Sequence, residues 1–320
     1  MSAVELSRAR VGDAPSAMCA AMALWTIVEA LGASVPSDYS PLQVVWTRYA
    51  VHLLLLLALV GSRLGVAVLR TSRPAIQLVR SLTMVGMPAF FLLALGDAGG
   101  GRDVWATFWI APLLAMGLAG MMLREKASRP SWLAALLGFA GALLILRPSG
   151  HVGAAGALFA IAMATCFALY LVLTRLLRGE STESKLFYTA FGVLVALAPL
   201  MPAVWVRPTH RALLLMAGVG AVGLGALWAL DRSLERSPVV LVAPLALTQP
   251  VWHLLAAGLR GRWPSPLAAG GALAVVVAAW VVYRGLGKHE NETRGRPARP
   301  TSLSPPTQPA RVPVDPQRAP

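Results

Sequence analysis

The sequence predicts an all-α fold: a polytopic membrane protein of about ten transmembrane helices, built as two inverted five-helix repeats. Three observations point there. Of 320 residues, 57% are hydrophobic and only 13% charged, more apolar and less charged than a soluble domain. Apolar runs recur at lengths that cross a hydrocarbon core about 30 Å thick, which takes roughly 20 residues. The second half of the chain also echoes the first. A soluble enzyme does not fit this composition, and almost no sequence remains for a separate soluble domain.

Apolar runs between charged or Pro/Gly-rich breaks place helices at about 17–35, 42–62, 74–95, 103–122, 130–147, 153–174, 186–205, 211–230, 239–259 and 265–283. A mixed-charge leader, residues 1–16 with Glu5, Arg8, Arg10 and Asp13, precedes the first run. Many spans follow it, so it is expected to be a membrane helix and not a cleaved signal peptide. Residues 17–147 make the first repeat and 153–284 the second. From 285 to 320 the chain turns Pro-, Arg- and Ser-rich, with Pro305, Pro306, Pro309, Pro313, Pro316 and Pro320. So few apolar residues cannot offset the entropy of ordering, and a disordered cytoplasmic tail is expected. Its arginines can touch anionic lipid, or serve topology alone.

The net charge of +14 would suit a nucleic-acid partner, but its location argues against one. Lys and Arg sit almost wholly in short loops and the tail. With the N-terminus inside, eighteen of them, from Arg8 through Arg124, Lys126 and Arg175 to Arg299, fall on the inner side. Six fall outside: Arg102, Arg147, Arg207, Arg211, Arg260 and Arg262. That bias places both termini in the cytoplasm. Abundant Ala, Leu, Gly, Arg and Pro suggest a bacterial source and hence an inner membrane. Cys19 and Cys166 fall inside expected helices as small packing residues, so neither a disulfide framework nor a metal cluster is indicated, and no cofactor is implied.

The internal echo lies in the fourth and fifth helices against the ninth and tenth. The first stretch reads Trp109-Ile110-Ala111-Pro112, Arg124-Glu125, Gly138, Gly141 and Arg147-Pro148. The second reads Leu247-Thr248-Gln249-Pro250, Arg260-Gly261-Arg262, Gly270-Gly271 and Arg284, in register after a one-residue gap. Five helices per half is an odd number, so the halves must enter the membrane in opposite senses, as in secondary transporters.

Tyr39-Ser40-Pro41 leading to Arg48-Tyr49, Ala94-Leu95, Pro112, Arg124-Glu125, and Leu144 to Pro148 resemble one half of an EamA-type transporter of the drug/metabolite transporter superfamily. The second half is similar from Gly156 through Tyr170 to Arg175, and at Ala243-Pro244 and Pro250. The resemblance covers residues 17–284. It implies a ten-helix carrier with a central cavity between inverted halves, exporting small metabolites or drug-like solutes. One departure is that Arg262-Trp263 stands where the second half should repeat the acid of Arg124-Glu125.

An ionisable group at mid-bilayer costs roughly 2.5–3.5 kcal/mol on insertion scales, so it needs a partner or a function. Glu29 lies about 9 Å from the outer end of the first helix and Arg48 about 10 Å down the antiparallel second. An ion pair between them is expected, either structural or at the outer side of a transport cavity. His52 shares the Arg48 face and can extend it. Trp25 lies one turn before Glu29 and can line the same space.

Pro112 and Pro250 interrupt the fourth and ninth helices at corresponding points, and paired interruptions point to a binding site. Gln249, His253 and Trp109 are the polar and aromatic groups nearest to them. A histidine there can bind solute, carry a proton or simply pack. No carboxylate falls at mid-membrane, so any proton coupling rests on Glu29, His52 or His253. Gly218, Gly220 and Gly223 spell GxGxxG, but inside an apolar span they are expected to serve close helix packing. Asp97 and Asp103 flank an outer turn and are expected to be solvated.

No nucleotide motif is present, and there is no HExxH pair, GxSxG elbow or pair of membrane aspartates. A membrane-embedded enzyme is therefore the weaker reading. A non-transporting scaffold differs from a carrier only in lacking use for the repeat and the paired prolines. A carrier of a small organic solute, in contact with membrane lipid, is the expectation.

Overall fold

A computed structural model of the chain describes residues 3–61, 65–96 and 101–295, with side chains between 14 and 285 except at 66 and 67. Ten helical stretches among the described residues are long and apolar enough to cross a membrane. They are Ala14–Gly32, Pro41–Gly61, Pro74–Leu95, Gly101–Met122, Arg129–Leu146, Ala154–Leu176, Thr182–Val204, His210–Arg236, Val239–Gly258 and Pro266–Gly285. Leu54, Leu133, Leu158, Leu214 and Leu273 project outward from five of them. Such a surface would aggregate in water and is at home in lipid, so the protein is an integral multi-pass membrane protein.

The span starts follow from local chemistry. Ser40, Ser128, Ser181 and Thr209 each accept a hydrogen bond from a backbone N–H in the following turn. Each thereby satisfies one of the donors that a helix start leaves unpaired. The fifth span ends at Arg147, whose left-handed backbone (φ 52°) turns the chain just before Pro148.

Two expected boundaries are corrected. The first helix begins at Ala3 and the last continues to Gly295, so helix extends into both the leader and the start of the tail. Once a span has nucleated a helix, each further residue adds a hydrogen bond at little cost. Residues 296–320, including the prolines from Pro305 on, lie outside the described residues, as do Arg63 and Asp97.

The halves are related by packing as well as by sequence. The first span lies along the eighth, and correspondingly the sixth lies along the third. The second packs on the eighth as the seventh packs on the third. The fifth runs against its counterpart, the tenth, and the fourth meets the ninth. This is the pattern of a two-fold that exchanges the first five spans with the last five. It separates the first and second spans, because the eighth lies against both.

Small residues set the close approaches. A Cβ on Gly141 would sit 2.6 Å from the carbonyl oxygen of Gly271, and one on Gly271 the same distance from that of Gly141. A Cβ on Gly220 would sit 2.5 Å from Val51, and one on Gly223 2.9 Å from His52. The GxGxxG stretch is thus a packing face, as its apolar setting implied.

The fourth and ninth spans are discontinuous. The fourth is two helices, Gly101–Phe108 and Ala111–Met122, broken at Trp109 and Ile110. The ninth passes through a 3₁₀ stretch, Ala243–Thr248, before resuming as Gln249–Gly258. Pro112 and Pro250 lie in the first turn of the resumed helices, where a proline's missing N–H removes nothing that the helix needs.

Gly141→Val is expected to lower the melting temperature of the purified protein by several degrees, since overpacking a tight contact costs about 1–3 kcal/mol. Gly117→Ala, whose Cβ meets nothing within 4 Å, should leave it unchanged.

Candidate functional site

A cavity of about 530 Å³ opens at the end of the bundle that carries the turn between the first two spans. Trp25, Glu29, Arg48, Met84, Phe91 and Trp105 line it. A smaller space of about 290 Å³ adjoins it, lined by Glu29, Trp105, Trp109, Gln249, Pro250 and His253. Glu29 and Trp105 border both. The two spaces bring together most of the residues that the sequence singled out.

Glu29 does not pair with Arg48. Its carboxylate lies 2.7 Å from His253 Nε2 and accepts a hydrogen bond from Gln249 Nε2 at 2.8 Å. The ninth span packs directly on the first, whereas the second is held off by the eighth, so matched depth did not bring Glu29 and Arg48 into contact. Arg48 instead lies over the rings of Trp25 and Tyr49, at 4.7 and 4.8 Å. Its Nη2 donates a long 3.4 Å bond to Tyr49 Oη. His52 is buried against Gly223 and edge-on to Tyr49, and it lines neither space. Pro112 is also buried and absent from both linings, although Trp109 just before it contributes.

At the opposite end of the bundle a buried ion-pair network joins the two halves, beside a groove of about 660 Å³ lined by Glu125, Ser131, Val240 and Trp280. Arg80, fully buried, donates to both oxygens of Asp231 at 2.8 and 2.7 Å and to Tyr170 Oη at 2.6 Å. Its other nitrogens donate to Thr174 Oγ1, Thr189 Oγ1 and the carbonyl of Lys185. Arg80 is in the first half, and all these partners are in the second. Nearer the surface, Lys185 pairs with Glu235 at 2.6 Å and Arg175 with Glu125 at 3.3 Å. Glu125 also accepts from the backbone N–H of Val240, which ties the Arg124-Glu125 motif to the ninth span.

Sequence reasoning missed this network. Arg80 stood visibly inside the third span, but Asp231 lay one residue past the expected end of the eighth, at 230, and so looked like a loop residue. The eighth helix in fact runs to Arg236, and Asp231 is a fully buried carboxylate inside it. Asp103, expected to be solvated, is also buried, with its carboxylate accepting from the backbone N–H and hydroxyl of Ser149.

Outside the membrane segments, Glu180 closes the loop between the sixth and seventh spans onto the start of the third. It accepts from Thr71, Ser72 and Gln77. Partial burial pulls its carboxyl up, but these hydrogen bonds outweigh that and hold it below the usual carboxylate range.

Two inverted halves, discontinuous helices at matching points, and a cavity at one end with ion pairs joining the halves at the other are the architecture of a membrane carrier. The chain matches the EamA-like transporter family twice, over residues 14–147 and 154–284, and it belongs to that family. It is similar to a riboflavin transporter of Vibrio cholerae, 26% identical over 81% of this chain and 92% of that one. It is also similar to an S-adenosylmethionine uptake transporter of Rickettsia conorii, 24% identical over 68% of this chain and 75% of that one. A solved crystal structure, 24% identical, covers 87% of this chain and 98% of its own with a TM-score of 0.73, and so shares the fold.

Asp231→Asn leaves Arg80 buried without its counter-charge, and a loss of about 3–5 kcal/mol is expected, read as a lower melting temperature. Removing both charges with Arg80→Met and Asp231→Leu should recover part of it. Because the Glu180 carboxyl is depressed on folding, its stabilisation is fully present above the ordinary Glu range of about 4.3 and is lost as pH falls through the lower folded value. Melting curves between neutral and acid pH should show that dependence reduced in Glu180→Gln.

Proposed function

We propose that this transporter is a gradient-driven carrier that moves a small organic solute between its two halves by alternating access. The observation that carries the proposal is the asymmetry of the bundle: a solute-sized space open at one end, and the Arg80–Asp231 network joining the halves at the other. In the alternate state that network opens and the cavity closes. The riboflavin and S-adenosylmethionine relatives support a metabolite of that size. The absence of any nucleotide motif in the sequence supports a gradient as the energy source.

The solute path runs past Trp25, Glu29, Arg48, Trp109, Gln249, Pro250 and His253, with residues 17–147 and 153–284 as the two moving halves. Glu29 and His253, in contact in the smaller space, are the candidate proton carriers. The charge bias of the loops supports a cytoplasmic ion-pair end with both termini on that side, and the bacterial relatives support an inner membrane. Export, implied by the resemblance, is not part of the proposal. The Rickettsia relative is named for uptake, and net direction in such a carrier follows the gradients. No enzymatic step is included.

Proteoliposomes loaded with a metabolite panel that includes riboflavin and S-adenosylmethionine, with and without an imposed pH gradient, test this. Wild-type protein is expected to move at least one solute, and Glu29→Gln and His253→Ala should each reduce gradient-dependent flux at least tenfold. No flux of any solute from folded protein would favour a scaffold instead.

A further inference from the structure

Among the described residues, the three buried cations each have a carboxylate partner, and the half-buried Arg48 does not. Arg80 has Asp231, Arg175 has Glu125, and Lys185 has Glu235. Arg48 lies within the second span and borders the large cavity, but no carboxylate among the described residues is within ion-pair distance of it. Glu29, which borders the same cavity, is engaged by His253 and Gln249. The guanidinium uses one of its five donors, in the long bond to Tyr49, and its buried Nε finds no acceptor. An arginine held between two aromatic rings is kept in place by cation–π attraction, but those rings do not neutralise it.

The geometry points to Arg48 as an anion-binding residue, so that the solute is an organic acid: a carboxylate or phosphate on Arg48, carried by an apolar or aromatic body. A guanidinium is a planar fork that matches those groups two bonds at a time, and the match strengthens where water is excluded. The rest of the wall suits the body. Trp25, Met84, Met87, Phe91 and Trp105 offer apolar and aromatic surface around a space of about 530 Å³, within the usual size of small-ligand sites. Gly223 keeps the site in shape, since a Cβ there would come within 3.2 Å of Arg48 Nε.

This inference rests on the cavity being the solute site, and it is testable without transport. Affinities of purified protein in nanodiscs would be measured by tryptophan fluorescence for matched pairs of an aromatic carboxylate and its amide, such as indole-3-acetate with indole-3-acetamide and benzoate with benzamide. Wild type is expected to bind at least one carboxylate tenfold or more tightly than its amide. Arg48→Gln should abolish that preference while leaving amide affinity within threefold, and Arg48→Lys should keep part of it; melting temperature confirms that each variant is folded. A wild-type protein that favours no carboxylate over its amide, or an Arg48→Gln variant that keeps the preference, overturns the anion site. Either result is compatible with flux in the liposome assay, so the carrier reading and this one fail separately.

Discussion

Inside a bilayer no water is available to solvate a backbone amide or a charge, so every such group must find its partner within the protein. The Arg80 network is the fullest answer to that constraint. One guanidinium is taken up by a carboxylate, a phenol, two hydroxyls and a carbonyl. These come from the sixth, seventh and eighth spans, so satisfying one charge in the third span fixes how the second half sits on the first. A hydrophobic replacement could match the volume but would not demand a single arrangement.

The same constraint explains why the cavity lies where it does. Helices in lipid gain no hydrophobic energy from one another and associate through close packing, which the glycine contacts supply. Gly141 on Gly271 ties the fifth span to the tenth, and Gly220 and Gly223 press the eighth onto the second. The halves are thus bound at two seams and latched at one end. The remaining space, walled by Trp25, Arg48 and Trp105, is open at the other. A polar latch can exchange protein partners for water when it opens, which an apolar seam cannot do without loss.

The discontinuities in the fourth and ninth spans show how the repeat is used asymmetrically. Pro112 and Pro250 occupy matching positions, but Pro250 borders the smaller cavity, whereas Pro112 is buried and lines neither of the two described above. Gln249 and His253 beside Pro250 are polar, whereas Ala111 and Ala115 beside Pro112 are not. The inverted repeat supplies two equivalent frames, of which one carries polar side chains beside a cavity and the other small apolar ones.

The sequence by itself determined the number of spans, most of their ends to within a few residues, the inverted repeat and the family, because hydrocarbon thickness and helix rise leave a run of apolar residues few alternatives. Most of the residues it singled out do border the cavities, since a charge or proline in an apolar span is conspicuous wherever it packs. Only the tertiary structure decided the partners. Glu29 and Arg48 are equally deep on consecutive helices, yet Glu29 belongs to His253 and Arg48 is left to the cavity. Asp231 looked like a loop residue until helix packing carried it inside to Arg80. Depth along a helix can be counted from sequence, but azimuth and neighbour depend on how side chains interlock across spans far apart in the chain, and that order is not written in any one of them.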